Sequence, residues 1–112
     1  MLTFDRLQEI LPENSIRFPG AILTIDIPKL VGSTPGYDAS VLELYARLLE
    51  GLHNLQVTIN QERASATPPL LPVQVISKTL VVSEKGNPVY SYKVDFEINS
   101  SLVLDAVIDP TT

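Results

Sequence analysis

Residues 90–98 read Tyr-Ser-Tyr-Lys-Val-Asp-Phe-Glu-Ile and give the clearest indication of the fold. Apolar and polar side chains alternate along this stretch, and a period of two predicts a β-strand with one apolar face. Residues 102–108, Leu-Val-Leu-Asp-Ala-Val-Ile, repeat the apolar pattern at every second position. Residues 99–101, Asn-Ser-Ser, lie between the two runs and predict a short hairpin loop.

The apolar residues of these two predicted strands also predict how the strands pair. In the register that places Tyr92 opposite Ile108 and Phe96 opposite Leu104, apolar side chains meet along one face. A shift of one residue would turn that face toward water, so the pattern specifies the register strongly. Phe96 is therefore expected in the core.

An earlier strand extends this hairpin into a C-terminal three-stranded antiparallel meander. Residues 73–82 predict that strand, and residues 84–88, Glu-Lys-Gly-Asn-Pro, predict the turn that follows it. The apolar residues of the strand change from odd-numbered to even-numbered positions. A β-bulge is therefore expected near Ser77 and Lys78.

Two further elements are predicted near the N-terminus. Alternating residues 21–27, which end before Pro28, predict a strand at an edge of the sheet, because proline lacks a backbone donor. Thr3 precedes apolar residues at helical spacing that end before Pro12. This pattern predicts a short N-terminal helix with Thr3 as its cap.

The central element is an amphipathic helix that follows a loop at residues 32–36, with Asp38 as its expected cap. Its apolar positions recur at helical spacing: Val41, Leu44, Tyr45, Leu48, Leu52 and Leu55. We predict that the helix continues to about residue 63. The alternative is a break near His53 and a strand from Leu55, because β-branched residues then alternate with polar ones.

Residues 64–72, Ala-Ser-Ala-Thr-Pro-Pro-Leu-Leu-Pro, predict a stiff extended linker between the helix and the sheet. The spacing of Pro69 and Pro72 also fits a ligand for an aromatic groove. Together the elements predict an α+β fold in a single domain, residues 1–112. In this prediction, one central amphipathic helix packs on an antiparallel sheet that includes the C-terminal three-stranded meander. A short N-terminal helix completes the predicted fold.

Composition excludes several classes of function. The 112 residues include no cysteine and one histidine, and their formal net charge is −5. Disulfides and cysteine-based zinc sites are therefore ruled out, and an acidic chain is not expected to bind nucleic acid. No apolar run approaches the roughly 20 residues of a membrane span, and residues 1–11 lack the apolar centre of a signal peptide. We expect a protein of the cytoplasm, or of a particle assembled there, with no membrane partner and no cofactor.

The common catalytic arrangements each lack a part. His53 is the only histidine available as a base, and it lies in or just after a helix without a nearby glycine elbow. The loop at residues 32–36 lies where phosphate loops occur, yet no lysine follows its second glycine. Asp38 adds a negative charge where an anion would bind. We therefore expect that the protein is not an enzyme.

Carboxylates are the one enriched reactive group. The predicted register places Asp95 directly opposite Asp105, an unfavourable pairing in a sheet unless a cation lies between the two side chains. That cation could be Lys93 beside Asp95, Lys78 on the adjacent strand, a basic protein partner or a divalent ion. A divalent-cation-binding domain and a hydrolase that uses this carboxylate cluster are therefore the alternatives to a non-enzymatic protein.

Apolar residues also lie on the nominally polar faces of the predicted strands, at Ile22, Val103 and Val107. Burial on both faces of a sheet in so small a domain indicates a second cover, most simply another copy of the chain or a different protein. We therefore predict a structural or assembly subunit that acts through protein–protein contacts, with self-association as the default. Its predicted interface comprises these three residues together with Asp95 and Asp105.

The helix-plus-meander layout is similar to that of small structural subunits of phage-like particles, among many other small proteins. By this analogy of layout alone, a component of a larger particle is one setting for the predicted subunit. A different alternative is a small-ligand pocket between helix and sheet, lined by Tyr45, Tyr90 and Tyr92. Such tyrosines are more commonly core residues with a hydroxyl at the rim.

Overall fold

The computed structural model describes residues 2–20, 22–32, 41–97 and 107–111. Within these ranges the chain forms three helices and four strands. In chain order they are α1 (Phe4–Ile10), β1 (Ile16–Arg17), β2 (Thr24–Ile25), α2 (Ile27–Val31), α3 (Leu42–Ala64), β3 (Ile76–Val82) and β4 (Pro88–Val94).

The predicted mixture of helix and sheet is confirmed. Helix accounts for 38% and strand for 21% of the described residues, and the strands form two antiparallel two-stranded sheets. The fold is therefore roughly α+β, with α3 as its long helix. The chain divides into two compact units, residues 2–55 and residues 56–112. A single domain over residues 1–112 stays a prediction.

Helix α1 begins and ends where the sequence predicts. Oγ1 of Thr3 accepts a hydrogen bond from the backbone N–H of Arg6 at 3.4 Å, and Asp5 lies in the first turn, where the helix dipole favours an anion. The last helical residue is Ile10, and Pro12 follows two positions later. The short N-terminal helix is confirmed.

The strand predicted over residues 21–27 is wrong in its length and in its partner. Strand β2 is only two residues long and pairs with β1, where Ile25 lies opposite Ile16. Among the described residues it joins neither β3 nor β4. The turn at Gly20, with φ +62°, is the reason, because it folds β2 back onto the strand nearest in sequence.

Helix α2 is an element that the alternating pattern misses. Oδ1 of Asp26 accepts a hydrogen bond from the N–H of Lys29 at 3.2 Å, which caps the helix. Pro28 lies in the first turn, where a missing N–H leaves no hydrogen bond unmade. Leu30 and Val31 are buried. A cap followed by proline therefore overrides the alternation and ends the strand.

Helix α3 continues through Ala64, so the helical prediction for residues 55–63 is confirmed and the alternative strand is wrong. Leu55 and Ile59, four positions apart, are both buried, whereas Val57 between them is exposed. A strand would bury all three residues on one face, but a helix buries only the first and the third. The predicted cap, Asp38, lies outside the described residues.

The core of the N-terminal unit forms where α1, β1, α2 and the first part of α3 meet. Its buried residues are Leu11, Ile16, Leu30 and Val31, with Leu7, Ile25, Leu44 and Leu48 packed against them. Gly51 of α3 is buried beside this core, and a Cβ at that position would lie 2.6 Å from Cδ2 of Leu11. Glycine therefore permits the close approach of Leu11 to the helix.

Replacing Gly51 by valine is expected to lower the free energy of unfolding by about 1–3 kcal/mol, because the added carbons overpack the site. The Cβ would lie 3.4 Å from Cδ1 of Leu7, an ordinary van der Waals contact, so the Leu11 side chain is the one that must move. Urea denaturation followed by circular dichroism measures the loss. Ala46→Val, at an exposed position of the same helix, is the matched control and reports the effect of β-branching alone. Because valine is a better helix former than glycine, a Gly51→Val variant at least as stable as the natural chain would show that the close approach is unimportant.

Two side-chain amides of α3 hold the extended segment that precedes β3. Nδ2 of Asn60 donates to the carbonyl of Val73 at 2.9 Å, and its Oδ1 accepts from the Val73 N–H at 2.8 Å. Nε2 of Gln56 donates to the carbonyl of Ile76 at 2.9 Å. Its Oε1 accepts from the N–H groups of Val75 and Ile76 at 2.7 and 3.0 Å. We call Gln56 and Asn60 the amide clamp, because they take the place of a neighbouring strand.

The β-bulge predicted near Ser77 and Lys78 is wrong. Strand β3 begins at Ile76 and pairs with β4 without interruption over its seven residues. Val73 is buried although it precedes the strand, because the amide clamp holds its backbone. The change from odd to even apolar positions therefore marks the passage from the clamped segment to the strand.

The turn predicted over residues 84–88 is confirmed. The N–H of Gly86 donates to the carbonyl of Ser83 at 2.9 Å, and Gly86 has φ +83°, a conformation that favours glycine. The N–H of Ser83 donates to the carbonyl of Asn87 at 2.8 Å. These bonds join β3 to β4 as a tight hairpin.

Beyond β4 the structure corrects the predicted register and core. The N–H of Ile108 donates to the carbonyl of Glu97 at 2.7 Å, so Ile108 does not lie opposite Tyr92. Phe96 is 59% exposed, so its prediction as a core residue is wrong. The register was predicted on the expectation that Phe96 lies on a buried face. Because Phe96 is exposed, it no longer favours that register over another.

Most of the predicted second half of this hairpin lies outside the described residues. The loop at residues 99–101 falls there entirely, and so does the strand at residues 102–108 except for its last two positions. Val107 forms a single β-bridge at the end of that strand. The third strand of the meander therefore stays a prediction.

Candidate functional site

The β3–β4 hairpin presents an apolar side whose composition follows from its register. Alternation places every second residue of each strand on the same side of the sheet. We call this side the hairpin face, and it comprises the cross-strand pairs Ile76–Val94, Lys78–Tyr92, Leu80–Tyr90 and Val82–Pro88.

Exposure increases along the hairpin face from its base to its turn. Ile76 at the base is 1% exposed, and the amide clamp bonds its backbone. Toward the turn, Tyr90 is 59%, Leu80 62% and Val82 73% exposed. Contiguous apolar side chains left in water mark an interaction surface, whereas single exposed ones are normal. The turn half of the hairpin face is therefore the candidate site.

Lys78 places a positive charge on the same face. Its Nζ lies 4.3 Å from the ring centroid of Tyr90 and 6.0 Å from that of Tyr92. A cation over an aromatic face at an exposed site is attracted by about 0.5–1 kcal/mol. The hairpin face therefore combines apolar side chains with one positive charge placed over an aromatic ring.

The three tyrosines predicted to line a ligand pocket belong to different units. Tyr45 belongs to the N-terminal unit and is exposed, whereas Tyr90 and Tyr92 belong to the C-terminal unit and face Lys78, so the pocket stays a prediction. The N-terminal unit has a cavity of about 160 Å³, below the roughly 300–1,000 Å³ of small-molecule sites. None of the three tyrosines lines it.

The predicted acidic site contains an exposed ion pair at Asp95. Nζ of Lys93 lies 3.8 Å from Oδ2 of Asp95, and both side chains are mostly in solvent. Such a pair is worth about 0–1 kcal/mol, so it is a local arrangement of charge and not a structural support. Asp105 lies outside the described residues. In the part of the chain that the structure describes, no three His, Cys, Asp or Glu side chains gather as metal ligands.

The remaining predicted interface residues are exposed where the structure describes them. Ile22 is 69% exposed, and Val107 is exposed as well. Val103 lies outside the described residues. Exposure of large apolar side chains is what a contact with another protein requires, so the predicted roles of Ile22 and Val107 stay open.

Among the described residues, no group orients the imidazole of His53 through its Nδ1 atom. Its Nδ1 is buried and makes no hydrogen bond to any of the described residues. A histidine base of the serine-hydrolase type is held in its tautomer by a bond at that nitrogen. Among the described residues the orienting group of such a system is therefore missing.

The amide clamp was missed by sequence reasoning, although the sequence carries a signal for it. Gln56 lies four positions after Leu52, and Asn60 lies four positions after Gln56, so both continue the buried stripe of α3. A buried side-chain amide must find hydrogen-bond partners for its N–H and C=O groups. The backbone of its own helix is already hydrogen-bonded, so these partners must come from another segment. Two amides on a buried helical stripe therefore indicate a neighbouring segment with unpaired backbone.

Comparison with protein-family models, with curated proteins and with solved structures gave no match to the chain. Among the described helices, none has both the length and the apolar character needed to cross a membrane. The exposed residues of the hairpin face are therefore the basis for the proposed function.

Proposed function

We propose that this chain is a non-enzymatic structural or assembly subunit that acts through protein–protein contacts with further copies of itself. The observation that carries the proposal is the exposed half of the hairpin face, where Leu80, Val82 and Tyr90 lie side by side in solvent. Full burial of one such aliphatic side chain is worth about 1.5–3 kcal/mol. Contact with another chain over this face would therefore supply a substantial driving force.

The hairpin itself also benefits from a partner. A two-stranded hairpin is marginally stable in water without a third strand or a packed face. The amide clamp supports only its base, at Val75 and Ile76. A second chain on the turn half would stabilise the part of the hairpin that the clamp does not reach.

A second copy of the chain suits this face by charge. The hairpin carries Lys78 on its strand and Glu84 in its turn, at different distances from the tip. Two hairpins related by a two-fold axis run in opposite directions, so the lysine of each copy approaches the glutamate of the other. The same hairpin thus carries both the positive and the negative charge of the contact.

The proposal includes the finer predictions made from the sequence. A third strand over residues 102–108 lies next to β4 in this proposal, and β3 is then the outer strand of the meander. Val103, Val107 and Asp105 on that strand, with Asp95 and Ile22, remain proposed contact residues. A component of a phage-like particle is the setting that the resemblance of layout implies.

Tyr90→Ser is expected to weaken self-association by about tenfold, because it removes an aromatic ring from the centre of the hairpin face. Sedimentation velocity over a concentration series measures the dissociation constant. Leu71→Ser is the matched control, since Leu71 is an exposed apolar residue of the same unit that lies outside the hairpin. The control should associate like the natural chain. Equal dissociation constants for Tyr90→Ser and the natural chain would refute the hairpin face as the contact.

A further inference from the structure

The hydrogen bonds of the hairpin determine which backbone groups of β3 point away from β4. The N–H of Asp95 donates to the carbonyl of Val75 at 2.9 Å, and the N–H of Ser83 donates to the carbonyl of Asn87 at 2.8 Å. Hydrogen-bonded and non-hydrogen-bonded pairs alternate along an antiparallel ladder. Odd-numbered residues of β3 therefore direct their N–H and C=O groups at β4, and even-numbered residues direct theirs outward.

Among the described residues, the outward N–H and C=O groups of β3 are hydrogen-bonded at the start of the strand but not at its end. At Ile76, Gln56 bonds both the N–H and the carbonyl. At Leu80 and Val82, within the described chain, the outward N–H and C=O groups make no hydrogen bond. Residues 79–82, Thr-Leu-Val-Val, contain no charge, proline or bulge that would prevent pairing with another strand.

We infer that β3 joins two copies of the chain edge to edge, antiparallel about a two-fold axis, with Leu80 opposite Val82 of the second copy. This inference rests on the proposed self-association and specifies its geometry. Leu80 of each copy donates its N–H to the Val82 carbonyl of the other copy and accepts a hydrogen bond from the Val82 N–H, so the unbonded groups of both residues are satisfied. The two hairpins become one sheet of at least four strands, which is large enough for independent stability.

The side chains and the amide clamp favour this register among the two-fold pairings. A pairing centred on Thr79 would place Leu80 opposite Lys78. A pairing centred on Leu80 would place Glu84 of the second copy opposite Ile76, whose outward groups already bond Gln56. Centring on Val81 places Leu80 opposite Val82, and Lys78 opposite Glu84 of the second copy, so apolar side chains meet and opposite charges pair.

The register also makes the exposed apolar row continuous. Leu80 lies opposite Tyr90 within each hairpin, on the same face. Val82 lies opposite Pro88, so the order of side chains across the junction is tyrosine, leucine, valine, proline. Each leucine is flanked by apolar neighbours on both sides, which replaces the water that surrounds it in the single chain.

Amide hydrogen exchange of the natural chain, measured by NMR at high and at low protein concentration, tests the pairing directly. We expect the Leu80 amide to exchange at least about tenfold more slowly at high concentration, because its N–H becomes bonded. The Val81 amide, which already faces β4, is the internal control and should slow much less. Slowing of Leu80 no greater than that of Val81 in an associated sample would overturn the strand pairing but leave self-association intact.

A charge-swap pair tests the two-fold register. Leu80→Lys and Leu80→Glu should each associate at least about tenfold more weakly, because like charges then lie at diagonally adjacent positions across the two-fold axis, and an equal mixture should regain the lost affinity. Leu71→Lys and Leu71→Glu are the controls and should behave like the natural chain alone and mixed. Circular dichroism confirms that each variant is folded. A mixture no stronger than its components would overturn the register.

The remaining outcomes separate this inference from the proposed function. A chain that stays monomeric, with a Leu80 amide that exchanges rapidly at every concentration, would overturn both. A monomer whose Leu80 amide is protected at every concentration would show that another segment of the same chain covers the β3 edge. That result also overturns the pairing of two copies.

Discussion

Replacing Ile76 by alanine is expected to lower the free energy of unfolding by about 2–5 kcal/mol. Ile76 is 1% exposed and lies opposite Val94 at the base of the hairpin. Gln56 bonds both backbone groups of Ile76, so the surroundings cannot easily collapse into the cavity that the truncation leaves. Urea denaturation followed by circular dichroism, at a concentration below the association range, measures the loss.

Val82→Ala is the matched control for Ile76, because it removes an aliphatic side chain from the same face of the same strand. Val82 is 73% exposed in the single chain, so its truncation should change the free energy of unfolding by less than about 0.5 kcal/mol. Similar losses of unfolding free energy at the two positions would contradict the burial of Ile76 and the exposure of Val82.

Gln56→Ala is expected to lower the free energy of unfolding by about 2–4 kcal/mol. Its side chain is 5% exposed and accepts hydrogen bonds from the N–H groups of Val75 and Ile76. Each buried N–H left without a partner costs about 1–3 kcal/mol. The carbonyl of Ile76 keeps a second donor, Nε2 of Gln74 at 3.0 Å, so the two N–H groups account for most of the loss.

Gln61→Ala is the matched control for Gln56, because it makes the same substitution at an exposed position of the same helix. Alanine is the better helix former, so this variant should be as stable as the natural chain or slightly more stable. Denaturation midpoints of the two variants give the comparison. A loss below about 1 kcal/mol for Gln56→Ala would exclude the amide clamp as a support of the hairpin.

Helices α1 and α3 follow from the sequence because their signals are local. Thr3 and Pro12 bound α1, and the apolar stripe of α3 continues at helical spacing to Ile59. A helix satisfies its own backbone within a few residues, so caps and periodicity suffice to predict it. The helical prediction to about residue 63 succeeded for this reason, since α3 ends at Ala64.

The strands were predicted less well because their partners are distant in sequence. Alternation over residues 21–27 does not reveal that β1 is the partner of β2 or that Asp26 starts a helix. Phe96 alternates like a core residue, yet whether an apolar face is covered depends on which element packs on it. The partner of the clamped segment is a pair of side chains on α3, which no strand pattern encodes.

The hairpin face was not predicted from the sequence as a contact surface. Apolar residues on a second face of the sheet indicated contacts with another chain, and the sequence pointed to Ile22, Val103 and Val107. The exposed row that the structure describes is made by Leu80, Val82 and Tyr90. These residues alternate like core residues, and only their position beyond the reach of the amide clamp leaves them in solvent.

The mass of the natural chain in solution, measured by light scattering over a concentration series, tests self-association most directly. We predict a mass that rises with concentration from 12.3 kDa toward at least twice that value. A mass that stays at 12.3 kDa up to the highest concentration reached would contradict the proposal that the hairpin joins copies of this chain.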